Sequence, residues 1–125
     1  MKYISSPCSE CPWRTDVPVG KFPPERFRTL ARCAEDMSGV LFACHKSPEG
    51  GEFACAGFLL QSGAHNLLVR LSRELFTDLR SAHPLFPTYR AMAIANGVKA
   101  RDPALKNCRD DGWIRVSDRK IGHDQ

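Results

Sequence analysis

The sequence predicts a small, helix-rich α+β domain that is stabilised by a metal ion. Three observations support this fold class: apolar residues recur at helical spacing, short apolar runs fit strands, and cysteines recur at metal-ligand spacing. A chain of 125 residues suits one domain with its own core. We therefore expect residues 1–125 to form a single domain with about three helices and short strands. Its cysteine-rich, metal-binding half covers 1–60, and its mainly helical half covers 61–125.

The first helix is expected to begin at Pro24, because proline suits the first helical position and Glu25 suits the positive end of the helix dipole. Gly39 supplies a stop signal, and residues 40–43 then read as a short buried strand that leads into Cys44. The apolar face of this helix is formed by Phe27, Leu30, Ala31, Ala34 and Met37.

The strongest helical periodicity lies in residues 64–80, where leucines recur on one face. We expect this second helix to bury its leucines and to expose a basic face. The leucines are Leu67, Leu68, Leu71, Leu75 and Leu79. A third, shorter helix is expected to start near Thr88 and to end before Gly97, and residues 113–116 are expected to form a terminal strand.

The composition limits the kinds of protein that this chain can be. No stretch has signal-peptide character or approaches the roughly 18 apolar residues of a membrane span, so we expect a cytoplasmic protein that does not enter a membrane. Nothing marks the chain for export, so its six cysteines are interpreted as reduced thiols rather than as three disulfides. The formal charge of +4 permits an anionic partner.

Four cysteines form the most informative pattern. Cys8 and Cys11 make a tight Cys-x2-Cys knuckle, and Cys44 and Cys55 flank a glycine-containing loop that can bring them together. These four thiolates would complete a tetrahedral site. His45 would be a fifth donor, but neighbouring side chains on a strand point to opposite faces, so we expect Cys44 to bind and His45 to support the site. The reserve ligands are His45 and Cys108.

The metal is expected to be zinc, because soft thiolates in a tetrahedral set favour it. An iron-sulfur cluster is the alternative. Pro12 directly after Cys11 resembles the Cys-Pro end of the cluster-binding run in bacterial ferredoxins, although the closely spaced cysteines of that run are missing. Thiols without a metal remain a third interpretation.

Three segments resemble a known family. Residues 7–14 read Pro-Cys-Ser-Glu-Cys-Pro-Trp-Arg, residues 42–46 read Phe-Ala-Cys-His-Lys, and residues 55–58 read Cys-Ala-Gly-Phe. Together they resemble a small family of uncharacterised bacterial and phage proteins with a Cys-x2-Cys-Pro-Trp-Arg opening and a Cys-His...Cys-Ala-Gly segment. The match covers about the first half of the chain. The resemblance implies a cysteine-rich, metal-binding domain and indicates little about its activity.

Three functions follow as hypotheses. The favoured one is a zinc-stabilised binding module for nucleic acid or another anionic partner, with an anion-binding surface formed by Arg14, Arg70, Arg73 and Arg80. The second is a phage or mobile-element factor that binds a host protein complex. The third is a zinc or iron-sulfur enzyme or redox sensor, for which His65 and Asp110 would be the residues to test. No nucleophile-base or phosphate-binding motif supports catalysis, so we name no catalytic residues and favour binding over catalysis, with the enzyme kept as an open alternative.

Overall fold

A computed structural model describes residues 2–47 and 52–109 of the chain. The described part is helix-rich, as predicted, but its strands are reduced to isolated bridges between single residues, such as Tyr3 with Ala54 and Ala43 with Ala54. Its α-helices are α1 (Pro24–Leu30), α2 (Ala56–Ser62), α3 (Leu67–Leu71) and α4 (Tyr89–Ala95). Turns of 3-10 helix cover Ala31–Ala34, Gly63–His65, Arg73–Leu75 and Pro103–Leu105.

Helix α1 begins at the predicted residue but ends earlier than predicted. After Ala34 the chain becomes extended at Glu35, and Met37 adopts a positive φ of 60°. The Met37 amide then donates to the carbonyl of His65 at 2.6 Å, so this segment pairs with a distant part of the chain instead of continuing the helix. Met37 is 52% exposed, and its predicted place on the buried face is wrong.

The predicted helix over residues 64–80 is also wrong. Helix α3 covers only Leu67–Leu71, and Leu71 is 70% exposed while Val69 is buried. The N-terminal segment explains the interruption, because it takes hydrogen bonds that a continuous helix would make internally. The Tyr3 hydroxyl donates to the carbonyl of Leu75 at 2.8 Å, and the Arg80 amide donates to the carbonyl of Ser5 at 2.9 Å.

The third predicted helix is present as α4. The Thr88 side chain accepts a hydrogen bond from the Ala91 amide at 3.0 Å, which caps the first turn. Gly97 follows the helix with a φ of +105°, a conformation that favours glycine. Helix α2 was not predicted, and it begins directly after Cys55.

An aromatic cluster forms the centre of the core. Trp13 is fully buried, and its ring centroid lies 5.8 Å from that of Tyr89 and 6.0 Å from that of Phe42. Phe42 in turn stacks on Phe58 of α2 at 6.4 Å. Trp13 therefore anchors the irregular N-terminal loop to the helices, and it holds the Cys-x2-Cys knuckle against the core.

Among the described residues, no helix combines the length and the apolar character that crossing a bilayer requires.

Candidate metal centre

The Cys-x2-Cys knuckle is a pair of consecutive turns. The Cys11 amide donates to the carbonyl of Cys8 at 3.2 Å, and the Arg14 amide donates to the carbonyl of Cys11 at 3.1 Å. Cys11 is buried, whereas Cys8 is half-buried at the surface. The backbone amides of Trp13 and Arg14 face the Cys11 sulfur and help to lower its pKa.

Cys55 meets Cys11 at the start of α2. Their Sγ atoms lie 3.7 Å apart, too far for a disulfide, whose sulfurs are about 2.05 Å apart. Two thiolates bound to one tetrahedral ion at about 2.3 Å would be about 3.8 Å apart. The two buried sulfurs therefore already have the separation that a single bound ion requires.

The two thiols influence each other's ionisation. Their hydrogen bond lowers the pKa of Cys11 and raises the pKa of Cys55, because a thiolate on one sulfur is stabilised by the thiol that remains on the other. Burial raises the pKa of Cys55 further, while the backbone amides of Gly57 and Phe58 face its sulfur and oppose that rise. Two neighbouring buried thiols cannot both ionise unless a cation compensates their charges.

His45 lies next to the exposed side of the knuckle. Its Nε2 atom is 3.3 Å from Cys8 Sγ, and its ring packs edge-on against Phe22 with centroids 5.1 Å apart. Burial lowers the pKa of His45, which favours the neutral imidazole that metals bind. Burial raises the pKa of the Cys8 thiol, and the backbone amide of Glu10 opposes that rise.

The strand that was expected to point Cys44 and His45 in opposite directions is absent. A turn begins at Cys44 instead, because the Ser47 amide donates to the Cys44 carbonyl at 2.9 Å. Without a strand, neighbouring side chains need not point to opposite faces, so His45 can lie on the same side as Cys44. Cys44 is buried, and its proximity contributes to the raised pKa of Cys8.

The potential ligands of the described residues form two close pairs, Cys11 with Cys55 and Cys8 with His45. Within residues 2–47 and 52–109, no three histidine, cysteine or acidic side chains meet at metal-binding distances. The set Cys8, Cys11, Cys44 and Cys55 therefore stays a prediction, as does the zinc ion.

The reserve ligand Cys108 lies in the core. Its thiol is buried and donates to the Ala31 carbonyl at 3.5 Å, and burial raises its pKa to about 11. Cys33 lies in the same part of the core. Cys108 thus packs against the 31–34 turn. Asp110 lies outside the described residues.

Arg14 is held in a network beside the knuckle. Its guanidinium binds both carboxylate oxygens of Asp16 at 2.8 and 2.9 Å, lies 3.0 Å from His83 Nδ1, and donates to the Cys8 carbonyl at 3.1 Å. The side chain is only 12% exposed. This geometry assigns Arg14 a role in holding the knuckle and leaves little of it for an external anion.

The other three predicted anion-binding residues are exposed. Arg70 donates to the carbonyl of Ala64 at 3.1 Å, and Arg80 donates to the carbonyl of Asp78 at 3.1 Å. Arg73 lies between them on the 3-10 turn after α3. They stand beside exposed leucines rather than opposite a buried apolar face, so the predicted separation of a basic face from an apolar face is wrong.

Two contributors to the site were missed by sequence reasoning. The amides that face Cys55 come from the first turn of α2, and the ring that orients His45 comes from Phe22. The apolar run Ala-Gly-Phe-Leu-Leu directly after Cys55 was the available signal for α2. The packing of Phe22 left no local signal, because it depends on how two loops meet.

Comparison with known proteins places the chain in a family. No curated protein and no solved structure matches it. The family model described as "Family of unknown function (DUF6283)" matches residues 3–109, which extends well beyond the first half covered by the expected resemblance. The chain, with its paired cysteines and buried tryptophan, belongs to this family of unknown function.

Proposed function

We propose that the protein is a small binding module whose N-terminal loop is stabilised by one zinc ion. The observation that carries this proposal is the 3.7 Å separation of Cys11 Sγ and Cys55 Sγ, which matches an edge of a tetrahedral thiolate site. In the proposed site, Cys8, Cys11 and Cys55 supply three ligands, and the Cys44–His45 turn supplies the fourth. The metal links the knuckle to α2, and its role is structural.

A single ion suits the cysteine spacing better than an iron-sulfur cluster does. The closely spaced cysteine run of bacterial ferredoxins is missing from this chain, whereas the sulfur separation alone fits both, because two cysteines on one iron of a [2Fe–2S] cluster lie equally far apart. A buried pair at the edge length of one tetrahedron suits one ion of about 2.3 Å bond length. The cluster nevertheless provides a clear alternative outcome for experiment.

Metal analysis of protein purified without oxygen tests the proposal. We expect one zinc per chain, no visible absorption, and loss of zinc in Cys11→Ser. Cys33→Ser is the matched control, because Cys33 is equally buried but belongs to neither ligand pair. If the protein is instead brown and contains iron and sulfide, the centre is an iron-sulfur cluster and the zinc assignment is wrong. Colourless protein without metal, with all six thiols free, would refute a metal centre.

The surface of α3 favours a protein as the partner of this module. Leu67, Leu68 and Leu71 are exposed by 37, 37 and 70%, and Arg70 and Arg73 stand among them. Nucleic acid offers little apolar surface for leucines, whereas an acidic, amphipathic protein segment could contact both the leucines and the arginines. We name these five residues the α3 surface and propose it as the binding surface.

Substitution at the α3 surface distinguishes the two partner classes. We expect Leu71→Glu to abolish capture of a nuclease-resistant protein partner, whereas Val19→Glu should not. Val19 is a suitable control because it is 55% exposed and lies outside α3. If binding instead disappears on nuclease treatment and falls steeply with salt, the partner is nucleic acid and the protein-binding proposal is wrong.

A further inference from the structure

The positive charge of the chain is concentrated in two segments. Residues 24–34 and 97–108 together contain six basic and two acidic side chains, which is a net charge of +4. The formal charge of the whole chain is also +4, so the charges of all the other residues cancel. A local excess of one sign of charge attracts partners of the opposite sign, and it acts at a distance.

The two segments pack against each other. The 3-10 turn Pro103–Leu105 lies against α1 and against the 31–34 turn that follows it. Arg28 Nη1 lies 3.4 Å from Asp102 Oδ2, so an ion pair joins α1 to the start of this 3-10 turn. Arg32 follows Arg28 by four residues and therefore lies on the same side of the helical segment. The basic residues of both segments thus border one surface.

Hydrogen bonds hold the second segment in an ordered conformation. The Arg90 guanidinium donates to the carbonyl of Ala100 at 3.2 Å and to the carbonyl of Leu105 at 2.6 Å. The Asp102 carboxylate accepts from the Ala104 amide at 2.9 Å and caps the 3-10 turn. Because the backbone of this segment is already ordered, a partner that binds its basic side chains would lose little entropy in ordering the loop.

We name the exposed basic residues of this surface the α1 basic face: Arg28, Arg32, Lys99, Arg101 and Lys106. Its two acidic neighbours both pair with Arg28, Glu25 at 3.3 Å and Asp102 at 3.4 Å. Within the part of the chain that the structure describes, no acidic side chain lies within ion-pair distance of the other four basic residues. Four cations of the face are therefore available to an external anion.

The composition of the α1 basic face favours phosphate groups over a protein. Residues 24–34 and 97–108 expose no large apolar side chain, in contrast to the leucines of the α3 surface. Arginine and lysine suffice to bind the phosphates of a duplex without reading its sequence, whereas the centre of a protein interface is apolar. The same residues expose no aromatic ring on which the bases of a single strand would stack.

We propose that the α1 basic face binds the phosphate backbone of double-stranded nucleic acid without sequence preference. This surface is separate from the α3 surface, and the inference does not depend on the proposed metal centre. Four contacts with phosphates predict that the logarithm of the binding constant falls with the logarithm of the salt concentration, with a slope of about −3.5. Between about 50 and 200 mM salt, binding should therefore weaken about 100-fold.

Fluorescence anisotropy of a labelled DNA duplex of mixed sequence, titrated with the full chain, tests the proposal. We expect Lys106→Glu to weaken binding about tenfold and to reduce the salt slope by about 1, because one phosphate contact is lost and a negative charge takes its place. Lys2→Glu is the matched control. It makes the same change of charge at an exposed lysine outside the two segments, and it should change the affinity less than about twofold.

Three outcomes would overturn the proposal. Equal weakening in Lys106→Glu and Lys2→Glu would show that binding follows the net charge and not this face. Absence of duplex binding by the wild type at about 50 mM salt, or binding that salt does not weaken, would exclude the phosphate contacts. Binding to vesicles that contain phosphatidylserine, but not to the duplex, would assign the face to a membrane surface.

The wild-type salt slope needs no variant, so the proposal can be refuted even if Lys106→Glu does not fold. The assay contains no second protein and can be run with or without zinc. Its outcome is therefore independent of the partner proposed for the α3 surface and of the metal centre.

Discussion

Replacing Gly57 with alanine should destabilise the protein, although alanine normally favours a helix over glycine. A Cβ atom at position 57 would lie 2.5 Å from Trp13 Cβ and 2.7 Å from its Cγ, well inside van der Waals contact. Trp13 cannot withdraw easily, because it is fully buried and packed against Phe42 and Tyr89. The added methyl group must therefore move either α2 or the knuckle.

The net effect follows from two opposing contributions. Overpacking in a dense core costs about 1 to 3 kcal/mol, and a rigid contact at 2.5 Å belongs at the upper end of that range. The higher helix propensity of alanine stabilises α2 by about 1 kcal/mol relative to glycine. We therefore expect the free energy of unfolding to fall by about 2 kcal/mol. For a domain of this size the fall corresponds to a decrease in Tm of roughly 8 °C.

Urea unfolding of the purified protein measures this effect, with Gly39→Ala as the matched control. Gly39 is exposed, and nothing lies within 4 Å of a Cβ atom added there. The free energy of unfolding of Gly39→Ala should therefore differ from that of the wild type by less than about 0.5 kcal/mol. If Gly57→Ala proves as stable as the wild type, then Trp13 does not pack on α2 as described, and the proposed anchoring of the knuckle is wrong.

Three further predictions concern residues outside the ligand set. Asn66→Ala should lower the free energy of unfolding by about 2 to 3 kcal/mol in urea titrations, because the fully buried amide caps α3 and donates to the Val40 carbonyl at 2.8 Å. A loss below about 0.5 kcal/mol would contradict this. Tyr89→Phe should cost about 1 to 2 kcal/mol, since its hydroxyl donates to a buried carbonyl at 2.6 Å, and an unchanged unfolding midpoint would argue against that bond. The Arg14 guanidinium lowers the pKa of Asp16 to about 2 from 3.8, so the charged carboxylate stabilises the fold above about pH 4 and this contribution disappears as the pH falls towards 2. Asp16→Asn should therefore be less stable than the wild type at pH 6, and the difference should vanish near pH 2 if the ion pair is its cause.

Local sequence signals predicted the elements whose causes are local. Pro24 at the start of α1 and Thr88 at the cap of α4 act through their own backbone neighbours, so their positions could be predicted from the sequence. The knuckle was likewise predictable, because two cysteines separated by two residues lie on one turn whatever surrounds them. The family resemblance rested on the same local segments, and the family match confirms it.

Tertiary contacts decided the features that sequence periodicity could not predict. The leucine pattern of residues 64–80 fits a helix. The segment instead pairs with the N-terminus, where the Tyr3 hydroxyl donates to the Leu75 carbonyl and the Ser5 carbonyl accepts from the Arg80 amide, and these partners lie more than 70 residues away in the chain. The turn from Cys44 to Ser47 places the His45 ring beside Cys8, and the sequence did not predict this turn. The sequence alone therefore identified the potential ligands and the knuckle. Only the tertiary structure decided which of these side chains are neighbours, Cys11 with Cys55 and Cys8 with His45, because their distances depend on packing between segments that share no local pattern.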